Sequence, residues 1–252
     1  MRISKGPSEA YVRSRVPRGF HLDVARSIQR MLASKVVERD TVPINDIDLI
    51  TGIDVAYIER EDNEIGVSIA STYSLTSRSI VEWSCWVGNI AFPYVPTLLS
   101  FRELKPVVNA YLRLRRKPHV VLIDGHGKAH PFRLGIASHF GVCMNVPTIG
   151  VAKSLLYGKA SNDEGPILDP NTNEIIGWVI RCAPSKPTYI SVGHGITLDT
   201  AINLVRRLCA GSQMPIPILH SHNRANELKR RIIKNLSKGV TNLDSQCASI
   251  LM

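Results

Sequence analysis

One short run constrains the fold of this chain more than any other: His119-Val120-Val121-Leu122-Ile123-Asp124. Side chains alternate faces along a strand, so a strand that is apolar at nearly every position is covered on both sides. A chain that holds such a strand must supply packing layers above and below a sheet. Pro147-Thr148-Ile149-Gly150-Val151 repeats the pattern, and the segment from Arg133 to Phe140 between them reads as a returning helix. Strands alternating with helices predict an α/β architecture, a mixed sheet flanked by helices.

The remaining segments attach to that centre. Asp48 to Ile58, Ile65 to Tyr73 and Ser79 to Val87 are rich in β-branched residues and form an antiparallel meander that turns at Glu61-Asp62-Asn63-Glu64. From His21 to Val37, Leu22, Ala25, Ile28, Leu32 and Val36 recur at helical spacing. A second helix runs from Leu98 to Arg115, and Pro118 ends it. Ile175–Arg181 and Tyr189–Val192 form a hairpin, Thr197 caps a helix to about Leu208, and a basic helix spans His222 to Lys238. Residues 1–19 and 239–252 are expected to be weakly ordered. No repeat or linker divides the chain, so 1–252 reads as a single domain, and a monomer is expected.

Charge narrows the partner. The formal net charge of +10 points to a polyanion, with nucleic acid the first candidate. Arg113, Arg115, Arg116 and Lys117 form one basic cluster, and Arg206 to Lys238 forms a second in which Glu227 is the only acid. No apolar run reaches the ~20 residues that span a bilayer, and no secretion signal opens the chain, so the expectation is a cytoplasmic protein with no membrane partner. The cysteines lack Cys-x-x-Cys spacing, which argues against a zinc knuckle, and Cys143 and Cys182 are expected as buried free thiols.

The chemistry concentrates at strand ends. Asp54 interrupts an apolar strand, and a buried carboxylate there needs a proton or a metal as partner. Asp124 closes the central strand, where α/β sheets place ligands. Glu103 lies near the start of a helix between them. Oxygen ligands without a nearby cysteine suit Mg²⁺ or Mn²⁺ rather than zinc. Each carboxylate alone is more often half of an ion pair; together with Lys153 and His130 they point to metal-dependent phosphoryl transfer. Gly125 and Gly127 flank His126 and allow close approach of backbone or ligand. Tyr94 sits between Pro93 and Pro96, an aromatic held on a stiff loop and suited to stacking, unless it packs as core.

The segments TGIDVAY, FPYVPTLLSFRE, VVLIDGHGKAHP, PTIGVAKSLLYG and ISVGHGITLDTA, in this order, resemble the endonuclease V family. The resemblance implies an RNase H-like fold and an enzyme that recognises deaminated bases, chiefly inosine. It implies Mg²⁺ with Mn²⁺ as substitute, and hydrolysis of the second phosphodiester bond 3′ to the lesion, leaving 3′-hydroxyl and 5′-phosphate ends. By motif, Asp54 and Asp124 would hold the metal and Glu103 would complete the acid cluster. Lys153 would contact the scissile phosphate, and His130 would assist the attacking water or the phosphate. Tyr94 would wedge into the stack, with the flipped base entering a pocket around Leu99, Gly125 and His126. The chain departs from the family at Thr97, where glycine is common, and at Leu219-His220-Ser221-His222, where alignment favours His222 over His220 as the late site residue. The expected substrate is DNA, with inosine-containing RNA open. A structure-selective RNase H-like nuclease and a catalytically silent nucleic-acid-binding protein are the competing readings.

Overall fold

The computed structural model describes residues 1–61, 63–184, 186–238 and 247. Ten strands form one sheet: β1 (Arg2–Ser4), β2 (Leu49–Glu59), β3 (Glu64–Ser74), β4 (Ser79–Ile90), β5 (Val120–Asp124), β6 (Thr148–Ala152), β7 (Gly158–Ala160), β8 (Gly165–Leu168), β9 (Ile175–Ala183) and β10 (Lys186–His194). Around it lie α1 (Glu9–Arg15), α2 (Leu22–Ala33), α3 (Leu99–Leu112), α4 (Ile136–Met144), α5 (Leu198–Arg207) and α6 (Ile216–Leu236).

The spatial order is β1-β7-β8-β9-β10-β6-β5-β2-β3-β4, and the β2–β5 and β5–β6 pairs are parallel in an otherwise antiparallel sheet. The central strand behaves as its sequence demands. Val120 and Leu122 pack with Ile50, Ile149 and Ile218 and with the apolar side of α5. Val121 and Ile123 face the other way, onto Val107 and Tyr111 of α3 and Phe140 of α4. All of these β5 residues are buried, and at ~25 cal/mol per Å² of apolar surface this two-sided burial is the main stabiliser of the sheet centre.

The N-terminus differs from expectation. Residues 1–19 are built into the fold: β1 pairs with β7, and Ser8 caps α1 by accepting from the Tyr11 N–H. Val12 of α1 is buried with Leu22, Ala25, Val95 and Leu98, and this apolar contact is what a reading by polarity alone missed. The expectation for 239–252 lies outside the described residues, apart from Cys247.

Several boundaries also move. The last helix begins at Ile216 rather than His222, because Pro217 is tolerated in a helix's first turn. The helix after the central strand starts at Ile136 rather than Arg133, whose φ of 55° is left-handed. The cysteine expectation is corrected as well: Cys182 is disulfide-bonded to Cys209, Cys85 to Cys247, and Cys143 is exposed. Cys182 at the end of β9 and Cys209 just past α5 are brought together by packing, with Cα atoms 4.9 Å apart. Among the described residues no helix is long and apolar enough to cross a membrane.

Candidate active site

Parallel pairing aligns Ile53 with Ile123, so the next residues, Asp54 and Asp124, lie side by side on neighbouring strands. Lys153 follows β6, and its Nζ sits 2.5 Å from Asp124 Oδ2. His222, in the second turn of α6, donates from Nδ1 to Asp54 Oδ2 at 2.8 Å. The helix reaches Asp54 because it packs directly on β2 at Gly52, where a Cβ would stand 2.3 Å from the Pro217 carbonyl carbon and the Ile218 nitrogen. His220 points elsewhere, onto Ser71 Oγ at 2.8 Å. Glu103 projects from α3 into the same cleft and accepts a short hydrogen bond from the Tyr57 hydroxyl. Arg102 lies over the Tyr57 ring at 4.1 Å and pairs with Glu64 at 2.6 Å.

Crowding of acids in a closed space sets the electrostatics. Burial, chiefly, pushes the Glu103 carboxyl up to about 8; the Tyr57 hydrogen bond opposes this, and Asp54 and Asp124 reinforce it. Burial and then the Asp54 charge raise Asp124 to about 6, against the pull of Lys153. Burial is the largest single influence on Lys153 and lowers its pKa, but the charge and hydrogen bond of Asp124 together with the Asp54 charge outweigh it, and the net direction is up. The Asp54 hydrogen bond raises His222.

Three carboxylates converging in one cleft form a site that a hard divalent cation fits: oxygen donors and no cysteine sulfur. As placed, no three His, Cys, Asp or Glu side chains among the described residues close on one point. Lys153 occupies an Asp124 oxygen as a local counter-charge, and His222 occupies an Asp54 oxygen as a hydrogen-bond donor. Asp54, Asp124 and Glu103 are the groups that could hold the ion. Both His222 nitrogens are engaged, Nδ1 by Asp54 and Nε2 by the Asn226 amide at 3.1 Å, so in this arrangement it orients Asp54.

Beside the cleft lies a cavity of about 530 Å³ lined by Tyr94, Thr97, Leu99, Asp124, Gly125 and His126, among others. Tyr94 stands at its rim with 63% of its surface exposed, whereas Val95 and Leu98 are fully buried, so the loop is anchored and the ring is free. Gly125 takes φ 151°, and a Cβ there would stand 2.6 Å from Ile136 Cγ2. His126 places Nε2 on the Ser154 carbonyl, and burial lowers it to about 4. His130 is buried and lines the cavity rather than the acid cleft. Its Nε2 donates to the Thr97 carbonyl at 3.2 Å and its Nδ1 accepts from the Phe132 N–H, so it braces the Tyr94 loop.

Sequence reasoning missed Tyr57, Asn226 and Arg26. Tyr57 lies within the TGIDVAY segment, but strand alternation puts it on the opposite face from Asp54. Only the tertiary placement of α3 brings Glu103 to it.

The family model described as Endonuclease V matches residues 30–223. The endonuclease V of Thermofilum pendens is 38% identical over 221 residues, covering 86% of this chain and 92% of the relative. That of Gloeobacter violaceus is 36% identical over 212 residues, covering 82% of this chain and 85% of the relative. The crystal structure of Bacillus subtilis endonuclease V superposes with a TM-score of 0.81 at 26% identity, covering 88% of this chain and 99% of that one. Ciona intestinalis endonuclease V, solved with a 24mer DNA containing an inosine followed by a ribo-adenosine, gives 0.76 at 27% identity, covering 84% and 98%. A mixed sheet that sets two aspartates side by side beneath an exposed tyrosine, matched across most of the chain by these relatives, makes this protein a nuclease of the endonuclease V family.

Proposed function

We infer that the protein is a repair endonuclease for deaminated bases, chiefly inosine, dependent on Mg²⁺ or Mn²⁺. It hydrolyses the second phosphodiester bond 3′ to the lesion, leaving 3′-hydroxyl and 5′-phosphate ends. The observation that carries this reading is the adjacency of the acid cleft to the cavity behind Tyr94: Asp124 lines both. A base extruded into the cavity leaves its own strand lying across the carboxylates.

Asp54 and Asp124 hold the metal, with Glu103 beside them. When bound, the ion supplies Lewis-acid polarisation of the phosphate and a more acidic water. Tyr57 fixes the orientation of Glu103, and His222, its tautomer set by Asn226, fixes that of Asp54. Lys153 presents a partly exposed ammonium beside Asp124 and meets the phosphate charge. Tyr94 stacks in the vacancy, which offsets ~1–3 kcal/mol of the unstacking cost. Leu99, Gly125, His126 and Thr97 wall the base pocket, and His130 acts through the loop it braces. The active form is a single-domain monomer that works in the cytoplasm.

A specific observation favours a second substrate, since the Ciona relative was solved with a ribonucleotide directly after the inosine. The test uses end-labelled strands with one inosine, in all-deoxy and all-ribo form, beside undamaged controls. One cut at the second bond past the lesion, abolished by chelator and restored by Mg²⁺ or Mn²⁺, is the expected result. Equal cutting of undamaged strands would overturn lesion recognition, and cutting in chelator would overturn the metal. The deoxy-to-ribo rate ratio decides which strand is preferred.

A further inference from the structure

Thr97 is a β-branched residue at φ 68°, a backbone region where side chains of this shape are rarely found. It sits between Tyr94 and Leu99, where the loop passes from wedge to base pocket. Its surroundings hold it from every side. Arg26 of α2, only 3% exposed, donates from Nη2 to Thr97 Oγ1 at 2.9 Å. Gln29, one turn on, donates to the Thr97 carbonyl at 2.8 Å, and His130 donates to the same oxygen.

The guanidinium itself uses four of its five N–H donors, counting the one to Thr97. Its Nη1 meets Gln29 Oε1 at 2.8 Å, its Nε and Nη2 grip Glu9 of α1, and its plane lies 4.2 Å from the Phe132 ring centre. A buried cation left without these partners would be costly, so the network has one low-energy arrangement. That arrangement dictates where Thr97 sits. Residues 1–29, which contribute Glu9, Arg26 and Gln29, precede the family match at 30–223.

We propose that Arg26 is a positioning residue for lesion recognition: through Thr97 Oγ1 it holds the Tyr94 loop in the left-handed turn that aims the wedge and opens the base pocket. This rests on the deaminated-base reading above. Thr97 without its partner drifts towards ordinary φ and carries Tyr94 with it. A glycine at this position adopts the turn unaided, so the need for Arg26 disappears.

The experiment is a kinetic cycle over the parent, Arg26→Met, Thr97→Gly and the double variant, with Arg26→Lys as a variant that keeps the charge. Cleavage is measured on inosine and undamaged strands, with 2-aminopurine fluorescence beside the lesion reporting base extrusion on binding. Arg26→Met is expected to lose ~10-fold in kcat/KM on inosine and in extrusion signal, on the scale of a small misplacement of binding groups. Adding Thr97→Gly to it restores both to within about twofold of Thr97→Gly alone, because the lost anchor is no longer needed. If Arg26→Met does not fold, the comparison is made between Arg26→Lys, which keeps the charge and a donor for Thr97 Oγ1, and Thr97→Val, which removes the acceptor: Arg26→Lys is expected to retain more extrusion, and equal extrusion in the two would overturn the proposal. Equal losses from Arg26→Met in the parent and in the Thr97→Gly background, or a lowered Tm with unchanged kinetics and extrusion, would overturn the proposal. A parent that does not distinguish inosine from undamaged strands would instead overturn the reading on which it rests.

Discussion

At Asp54 and Asp124 the chemistry is a matter of two adjacent carboxylates whose repulsion Lys153 relieves only in part. Asp54→Ala or Asp124→Ala is expected to cut Mg²⁺-dependent cleavage by at least ~10³-fold. Folding survives, because the partner left behind, Lys153 or His222, is partly exposed and can be solvated. The direct check is thermal melting with and without Mg²⁺: the parent gains stability from the ion, and either variant loses that gain. Tyr94 makes the opposite kind of claim. With its ring exposed and its neighbours buried, Tyr94→Ala should reduce inosine discrimination ~10-fold, in line with the loss of one stacking contact, while Tm moves by less than ~4 °C. Tyr94→Phe keeps most activity, and a large Tm loss in Tyr94→Ala would return the ring to the core. The acidic residues and Tyr94 were legible because each stands out locally, a charge in an apolar strand or an aromatic between prolines. Tyr57, Arg26 and Asn226 were not, because each acts on a partner supplied by another element.

Elements built from a strong period were the easiest to read. Strands β2 to β6 and helices α2, α3 and α5 follow their apolar spacing. The short strands β1, β7 and β8 have too few residues to show a period, and β1 exists only because β7 offers it an edge. One element contact is exposed to a single methyl group. Gly52→Ala puts Cβ into the first turn of α6, so α6 must shift. The expectation is a loss of ~1–3 kcal/mol in unfolding free energy, with a drop in activity as His222 leaves Asp54. Chemical denaturation beside a cleavage assay measures both, and unchanged values would mean that α6 is not seated on β2. A second element-level expectation concerns acid. Burial lowers His139 of α4 to about 4 and His130, in the preceding loop, to about 3. Both are neutral when folded and ordinary histidines, near ~6.5, when unfolded. Their contribution is complete above that value and fades as pH falls, because the unfolded chain binds protons first. Between pH 7 and 5 each should remove ~2 kcal/mol of unfolding free energy, at ~1.4 kcal/mol per unit below 6.5. Urea titrations of the parent beside His130→Gln and His139→Gln at the two pH values check each share, because buried His126 adds to the loss while the raised Glu103 and Asp124 shift the parent's profile the other way; a variant that keeps the parent's full pH dependence would contradict the burial of that ring.

Across the whole molecule, the charge of +10 is distributed so that α6 carries exposed Arg230, Arg231 and Lys234 away from the cleft. If these groups neutralise only ~3 phosphates of a duplex, binding should weaken ~40-fold between 50 and 200 mM salt. Replacing Arg230 and Arg231 with Glu should flatten the slope of log affinity against log salt, and an unchanged slope would place the strand elsewhere. Overall architecture was legible because the central strand dictates two covering layers; the closure of the sheet by its own N-terminus was not, since that contact spans from Ile3 to Lys159. The seating of α6 on Gly52 has a consequence for biosynthesis. During translation Asp54, Glu103, Asp124 and Lys153 emerge in turn, yet the groove over Gly52 stays open until the last long helix is made. Domains fold as their segments become available. A nascent chain therefore carries its acidic residues without the helix that orients Asp54, and cutting competence arrives only once residues 216–236 have been made and seated.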